Sequence, residues 1–177
     1  NDRMWRAHSV IVATGGLSYR KTGATGDGYG FVRSFGHSIT STYPALAPLQ
    51  VDAAWVRQLQ GIVLHGVEIA SMDRDGRIKT RRTRPVLFTH KGLSGPAVLQ
   101  ISSYWAEGSP IRLNLAPEVN LPEALAQAKA RSRKLIANEL AALVPSRLAD
   151  AWTQQDPDWQ KPISDASDKA LARLAER

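Results

Sequence analysis

The 177-residue sequence contains no cysteine, which excludes a disulfide scaffold, a thiolate metal site and a cysteine nucleophile. No apolar run reaches the length of a membrane span, and the N-terminal residues lack the apolar core of a signal peptide. The four histidines show no spacing typical of metal ligands, so we expect no metal site. These absences favour a cytoplasmic location and no membrane partner.

The formal net charge of +7 is unevenly distributed along the chain. Residues 1–100 contain 13 Lys and Arg against six Asp and Glu, whereas residues 101–177 contain ten of each. A basic surface is typical of proteins that bind an anionic ligand or a nucleic acid. The whole excess therefore lies in the first part of the chain.

Seven of the chain's 13 glycines fall in one stretch, Val10–His37. The apolar run Val10–Ala13 predicts a strand buried on both faces, as in a parallel sheet. The glycine pair that follows, Gly15 and Gly16, allows close approach of backbone or ligand. The stretch thus favours a ligand loop at a strand end, with a simple chain turn as the alternative.

A helix is predicted after this loop, with Thr25 or Asp27 as its cap and Gly36 at its left-handed end. A strand, a glycine loop and a helix N-terminus together favour an anion such as phosphate. Neither G-x-G-x-x-G nor G-x-x-x-x-G-K-[ST] occurs, however. Ser18–Lys21 and Lys21–Gly23 match S-x-x-K and K-T-G of the penicillin-binding serine enzymes, but one lysine cannot serve both motifs.

A hairpin is predicted in the middle of the chain. Val67–Met72 alternates like a half-buried strand, Asp73–Gly76 is a turn signal, and Arg77–Arg81 forms a basic return strand. The basic run favours either nucleic-acid binding or a solvated strand edge protected by charge. No aromatic residue is interleaved between Arg74 and Arg84, as a base-stacking platform would need, which favours the solvated edge.

A further strand is predicted at Val86–Thr89, running into His90 and a glycine turn. His90 is a candidate catalytic residue, a proton donor or substrate contact, because it lies beside a turn at a strand end. Ser94 or Gly95 is predicted to cap a helix with Pro96 in its first turn.

Helices follow from residue 120 to the C-terminus and predict a small bundle. Asn120, Ser132 and Pro145 are predicted to begin three of them, and the last carries Leu171 and Leu174. Their apolar stripes are typical of core rather than of a partner groove. This reading places Arg131, Arg133 and Lys134 at a helix start, where the helix dipole disfavours cations.

Two blocks of the sequence, residues 13–29 and Phe88–Leu99, closely resemble the signature of the bacterial aminoacetone-oxidase-type family of FAD-dependent oxidoreductases. One departure is Arg20, where the family usually has proline. The resemblance implies an α+β fold: the edge of a Rossmann-like FAD domain (1–43), a β-barrel-like insert (44–117) and a helical insert (118–177). It also implies an internal fragment, since the family's dinucleotide fingerprint and final flavin segment lie outside these residues.

The resemblance implies that electrons pass from a small organic substrate or NAD(P)H through FAD to an acceptor. The residues expected at the FAD site are Thr14, Gly15, Gly16, Ser18, Tyr19, Gly26 and Asp27. Glycines there allow close approach, hydroxyl groups donate hydrogen bonds, and Asp27 contacts the ligand or caps the helix. Expected partners are a small-molecule substrate and the missing N- and C-terminal segments, but no nucleic acid, and the fragment alone is expected to be inactive.

Two other functions stay open on the sequence. The first is a basic nucleic-acid-binding β-barrel module without catalytic activity, which the charge excess favours. The second is an interaction domain that uses the helical residues 116–177.

Overall fold

The computed structural model describes residues 3–176. It divides the chain into two units, of which the first ends at Pro44 and the second begins at Ala45.

The first unit contains one 3-10 turn (Arg20–Thr22) and helix α1 (Asp27–Ser34). Gly26 precedes α1 with a φ of 88°, and no side chain caps the helix, so the predicted cap by Thr25 or Asp27 is wrong. The Thr25 hydroxyl instead donates to the Asp27 carboxylate at 2.8 Å. The predicted left-handed glycine after the helix is confirmed, since Gly36 has a φ of 84°.

The predicted strand Val10–Ala13 is wrong in this structure. These residues form no strand, and Val10 and Ile11 are 78% and 90% exposed. A strand buried on both faces needs neighbours to pair with, and residues 3–44 contain no strand that offers its backbone. The described residues therefore do not form the expected Rossmann-like edge.

The second unit holds two antiparallel sheets. Its strands are β1 (Leu49–Gln50), β2 (Val63–Leu64), β3 (Glu68–Met72), β4 (Ile78–Thr83), β5 (Val86–Thr89), β6 (Gly92–Ser94) and β7 (Ile111–Asn114). One sheet has the order β1-β6-β5-β2 and the other the order β4-β3-β7. Both sheets are open, so within residues 45–176 the expected barrel-like insert is two sheets and not a closed barrel.

The helices of the second unit lie beside and after these strands. They are α2 (Ala54–Gln58), α3 (Pro96–Ser102), α4 (Leu121–Arg131), α5 (Ile136–Leu140), α6 (Ser146–Thr153) and α7 (Asp168–Glu176). The predicted start of α3 is confirmed, with Gly95 as its cap and Pro96 first in the helix. Asn120 caps α4 as predicted, because its side-chain oxygen accepts the Glu123 N–H.

The predicted cap at Ser132 is wrong. Helix α5 begins only at Ile136, and the Ser132 hydroxyl donates to the Glu139 carboxylate at 2.6 Å. Helix α4 extends to Arg131, so this cation lies in the last turn, where the helix dipole favours it.

Two apolar clusters form the core of the second unit. The first joins both sheets to α3 through residues such as Ile69, Phe88 and Ile101. The second lies among the later helices around Trp159, whose indole N–H donates to the Ala170 carbonyl at 2.9 Å. Trp152 packs against both clusters and so connects the β-rich and helical parts.

Candidate functional site

Glycines in the first unit allow two segments of the chain to lie against each other. A Cβ placed on Gly28 would be 2.5 Å from the Thr14 hydroxyl oxygen, and one on Gly26 would be 2.6 Å from Leu17. A Cβ on Gly15 would be 3.3 Å from the Ala24 side chain. The absence of side chains at these positions therefore keeps the first glycine pair beside the start of α1.

The structure brings several of the predicted FAD-site residues close together but leaves most of them exposed. The exposed ones are Thr14, Gly15, Ser18, Tyr19 and Asp27, whereas Gly16 and Gly26 are half-buried. The Tyr19 carbonyl accepts hydrogen bonds from the Thr22 N–H and hydroxyl, which fixes the 3-10 turn beside it. The predicted set thus surrounds one folded loop and offers hydroxyl groups to solvent.

A cavity of about 430 Å³ lies in the same unit. Its lining includes Gly26, Thr25, Tyr29 and Arg33, together with the hydroxyl-bearing run at residues 40–42. Of the predicted site residues, Gly26 alone is part of that lining. One cation, several hydroxyls and the uncapped start of α1 make the cavity suited to a polar or anionic group.

The sequence reasoning missed two parts of this lining. Arg33 lies on α1 about two turns after Gly26, and Thr40, Ser41 and Thr42 follow the helix. A run of hydroxyl residues just after a helix-ending glycine was the available signal. It lies outside the motif blocks, so nothing in the sequence connected it with the glycine loop.

A larger cavity of about 830 Å³ lies in the second unit, between the sheets and the later helices. Most of its lining is apolar and includes Trp55, Trp105 and Trp152. Trp55 and Trp152 meet edge to face, with ring centres 5.7 Å apart, and the Trp105 indole donates to the Ser109 carbonyl at 2.6 Å. The residues that line this cavity are widely separated in the sequence and form no continuous motif. The sequence therefore did not predict the cavity.

His90 lies in the two-residue turn between β5 and β6 and is exposed. The turn is fixed by Thr89, whose hydroxyl donates to the Gly92 carbonyl at 3.1 Å and accepts the Lys91 N–H. A side chain on Gly92 would overlap the Leu49 carbonyl on the neighbouring strand β1, so only glycine fits there. His90 therefore lies in a turn whose backbone is fixed by hydrogen bonds, but its imidazole lines neither of the two cavities.

An ion cluster lies on the surface of the helical part. The Arg173 guanidinium contacts Asp156 at 2.7 Å and Asp158 at 3.1 Å. A hydrogen bond from the Asp158 backbone N–H, followed by the bond from Arg173, lowers the pKa of Asp156. Hydrogen bonds from Arg173 and then Lys161 lower the pKa of Asp158, and the pKa of Arg173 is raised by its bond to Asp156 and then to Asp158.

Two features that residues 3–176 lack bear on the kind of site. These residues contain no group of three or more His, Asp or Glu side chains arranged to hold a metal ion. In the same residues, no helix combines the length and the apolar character that crossing a bilayer requires.

The sequence is similar to enzymes of known name. It is 40% identical over 152 residues to the ribosomal RNA dihydrouridine synthase of Escherichia coli (strain K12), covering 84% of this chain and 37% of that protein. It is 35% identical over 158 residues to the enzyme of the same name from Haemophilus influenzae, covering 88% and 38%. A 3-dehydro-bile acid delta(4,6)-reductase from Clostridium scindens is 30% identical over 119 residues, covering 64% and 29%.

The chain spans less than two fifths of the length of these relatives. Residues 43–177 also match the family model described as HI0933-like protein barrel and H2TH domain. Kinship with aminoacetone oxidases in particular stays a prediction. The family match covers most of the chain, and the protein therefore belongs to the HI0933-like family with a barrel and H2TH domain.

Proposed function

We propose that the chain is part of a flavin-dependent enzyme that reduces uridine in ribosomal RNA to dihydrouridine. The observation that carries this proposal is the 40% identity to a ribosomal RNA dihydrouridine synthase over 84% of the chain. The glycine segment supports it independently, because its residues resemble the signature of FAD-dependent oxidoreductases.

The names of these relatives describe one type of reaction, the reduction of a carbon–carbon double bond. Dihydrouridine forms when a hydride and a proton add across the C5=C6 bond of uracil, which is conjugated with a carbonyl group. The name of the bile acid reductase likewise describes reduction of double bonds in a compound that carries a keto group. A bound FAD would supply the hydride, and we propose NAD(P)H as the electron donor that reduces it.

The first unit provides groups that fit one part of the dinucleotide. The hydroxyls of Thr14, Ser18 and Tyr19 are exposed and available to donate hydrogen bonds. The start of α1 has no side-chain cap, so its first N–H groups are directed at the region of Gly26 and favour a phosphate there. We therefore keep the seven predicted residues as the proposed FAD contacts and add Arg33, a cation on the same helix.

His90 is the proposed source of the proton. Its imidazole is exposed at a firm turn and makes no hydrogen bond with the residues that the structure describes, so it is accessible to a substrate. Exposure also means that substrate must be held beside it by other parts of the protein.

The direct test uses the full-length protein with FAD, NADPH and ribosomal RNA isolated from cells that lack the gene. We expect a yellow protein that oxidises NADPH, together with the appearance of dihydrouridine when the RNA is digested to nucleosides and analysed by mass spectrometry. A yellow protein that never forms dihydrouridine would show that the substrate is wrong. A colourless protein that binds RNA would support the module without catalytic activity.

A matched pair of glycine variants tests the proposed flavin loop. Gly28→Ala places a methyl group against the Thr14 hydroxyl, whereas a Cβ on Gly30 meets nothing within 4 Å. We expect Gly28→Ala to weaken FAD binding by the full-length protein about five- to a hundredfold, because such overpacking costs about 1–3 kcal/mol. Gly30→Ala should bind FAD like the wild type; equal affinities of all three proteins, measured by flavin fluorescence, would place the cofactor elsewhere.

A further inference from the structure

The three-stranded sheet β4-β3-β7 has two unlike faces. Opposed residues of an antiparallel pair project to the same side, and alternate residues project to opposite sides. Ile69 on β3, opposite Leu113 on β7, belongs to the first apolar cluster and marks the inner face. The next residue, Ala70, therefore marks the outer face.

The outer face is basic on both sides of Ala70. Its partner on β4 is Arg81 and its partner on β7 is Arg112. Lys79 on β4 is the extra residue at a register shift, because Ser71 pairs with Thr80 and Met72 pairs with Ile78. Exposed and half-buried residues still alternate along β4, which assigns Lys79 to the side of Arg81, and all three cationic residues are exposed. We call Lys79, Arg81 and Arg112, with Ala70 between the two arginines, the basic sheet face.

The positive charge of this face is only partly neutralised. Arg81 contacts the Glu68 carboxylate at 3.5 Å, with 58% of the arginine side chain exposed. An exposed pair of this kind contributes about 0–1 kcal/mol, so a phosphate replaces the carboxylate at little cost. Lys79 and Arg112 make no ion pair within residues 3–176.

The shape of the face suits a polyanionic backbone. Ala70 is the register partner of Arg81 on one side and of Arg112 on the other and is itself 1% exposed, so one small residue separates the two arginines. With neighbouring strands about 4.8 Å apart, the two arginines begin roughly 10 Å from each other. The register partners on this face include no aromatic residue, so the face offers phosphate contacts and no base stacking.

We propose that the basic sheet face binds the phosphate backbone of the RNA substrate; naming the anion as RNA rests on the function proposed above. Guanidinium groups pair with phosphate through two parallel hydrogen bonds, and such contacts position RNA without reading its sequence. This proposal replaces the expectation of a merely solvated strand edge. The sequence showed a basic run on one strand, but only the fold brings Arg112, 31 residues after Arg81, to the same surface.

The test compares two double charge reversals in the full-length protein. Lys79→Glu with Arg112→Glu alters the basic sheet face. Arg133→Glu with Lys169→Glu is the matched control, because it also removes one lysine and one arginine at exposed positions, but in the helical part. Both variants change the net charge equally, and thermal melting monitored by circular dichroism checks that each is folded.

The measurement is the Kd for protein-free ribosomal RNA transcripts over a range of salt concentrations. We expect the face variant to bind at least tenfold more weakly and to lose about one unit of salt slope for each of its two phosphate contacts. The control should change the Kd less than threefold. In the reduction assay, the KM for RNA should rise with the face variant and stay unchanged with the control.

Equal losses in the two variants would show that net charge alone matters and would overturn the proposal. Loss of binding to assembled ribosomal particles, with unchanged binding to the naked transcript, would overturn it in favour of a protein partner. If the wild type forms dihydrouridine and the face variant has an unchanged Kd and KM, the RNA-binding role of the basic sheet face is wrong and the proposed function is supported. If RNA binding depends on the face but no dihydrouridine forms, the proposed function is wrong and the RNA-binding role is supported.

Discussion

The two units of the chain differ in how they use apolar residues. Within residues 3–44 no side chain is buried, and Phe31 on α1 and Phe35 directly after it are 50% and 75% exposed. The second unit instead buries its apolar residues in two clusters around Phe88 and Trp159. The difference teaches that an apolar pattern predicts burial only where its packing partners are present, and we propose that a further protein segment covers the first unit.

The largest expected difference between the units comes from truncating one aromatic residue in each. Trp159→Ala removes the largest fully buried side chain and its bond to Ala170, so we expect the free energy of unfolding to fall by about 3–5 kcal/mol. Phe31→Ala, in the exposed helix, should change it by less than about 0.5 kcal/mol. Urea unfolding of the chain measures both, and similar losses would mean that the first unit has a core of its own.

A smaller effect is expected from two buried serines of the second unit. The Ser102 hydroxyl accepts the Ala47 N–H and donates to the Leu99 carbonyl, so Ser102→Ala should lower the free energy of unfolding by about 1–2 kcal/mol. Among the described residues the Ser71 hydroxyl has no hydrogen-bond partner, and Ser71→Ala should raise stability by up to about 1 kcal/mol. A loss of stability for Ser71→Ala in the same urea assay would contradict this expectation.

The smallest effect concerns the pH dependence of the helical part. The pKa values of Asp156 and Asp158 are lowered from an ordinary value of 3.8, so their contribution to stability is present above that pH and is lost as pH falls through the lowered values. Arg173→Ala should therefore reduce stability at pH 7 and make its decline below pH 4 shallower. Arg133→Ala is the control, and parallel pH profiles of both variants in urea unfolding would contradict the role of this ion cluster.

Local signals predicted much of the second unit. The Asn120 cap, the Gly95-Pro96 helix start and the turn at residues 73–76 depend on a few adjacent residues, and the structure has all three. The prediction at Ser132 failed because a serine near a helix boundary can also hydrogen-bond a side chain, here the Glu139 carboxylate, instead of capping the helix backbone. The predicted helix start at Ser132 also placed three cations, Arg131, Arg133 and Lys134, at that start, whereas α4 ends at Arg131 and α5 begins at Ile136.

The candidate sites were predictable only where their residues are close in sequence. The glycine loop was found because its residues form a continuous motif, whereas Arg33 and the hydroxyl run of its cavity lie outside that motif. The strand at Val10–Ala13 failed because its burial depends on partners that no local pattern contains. The basic sheet face required the pairing of β3 with β7, which joins residues far apart in the chain.

The small residue at position 70 has a consequence for how recognition could diverge among related proteins. A valine there would keep every charge but place a bulkier side chain between the two arginine side chains, so a polyanion would approach them less closely. Relatives that retain both arginines but carry a bulkier residue at this point should thus discriminate by steric fit, with an unaltered electrostatic field.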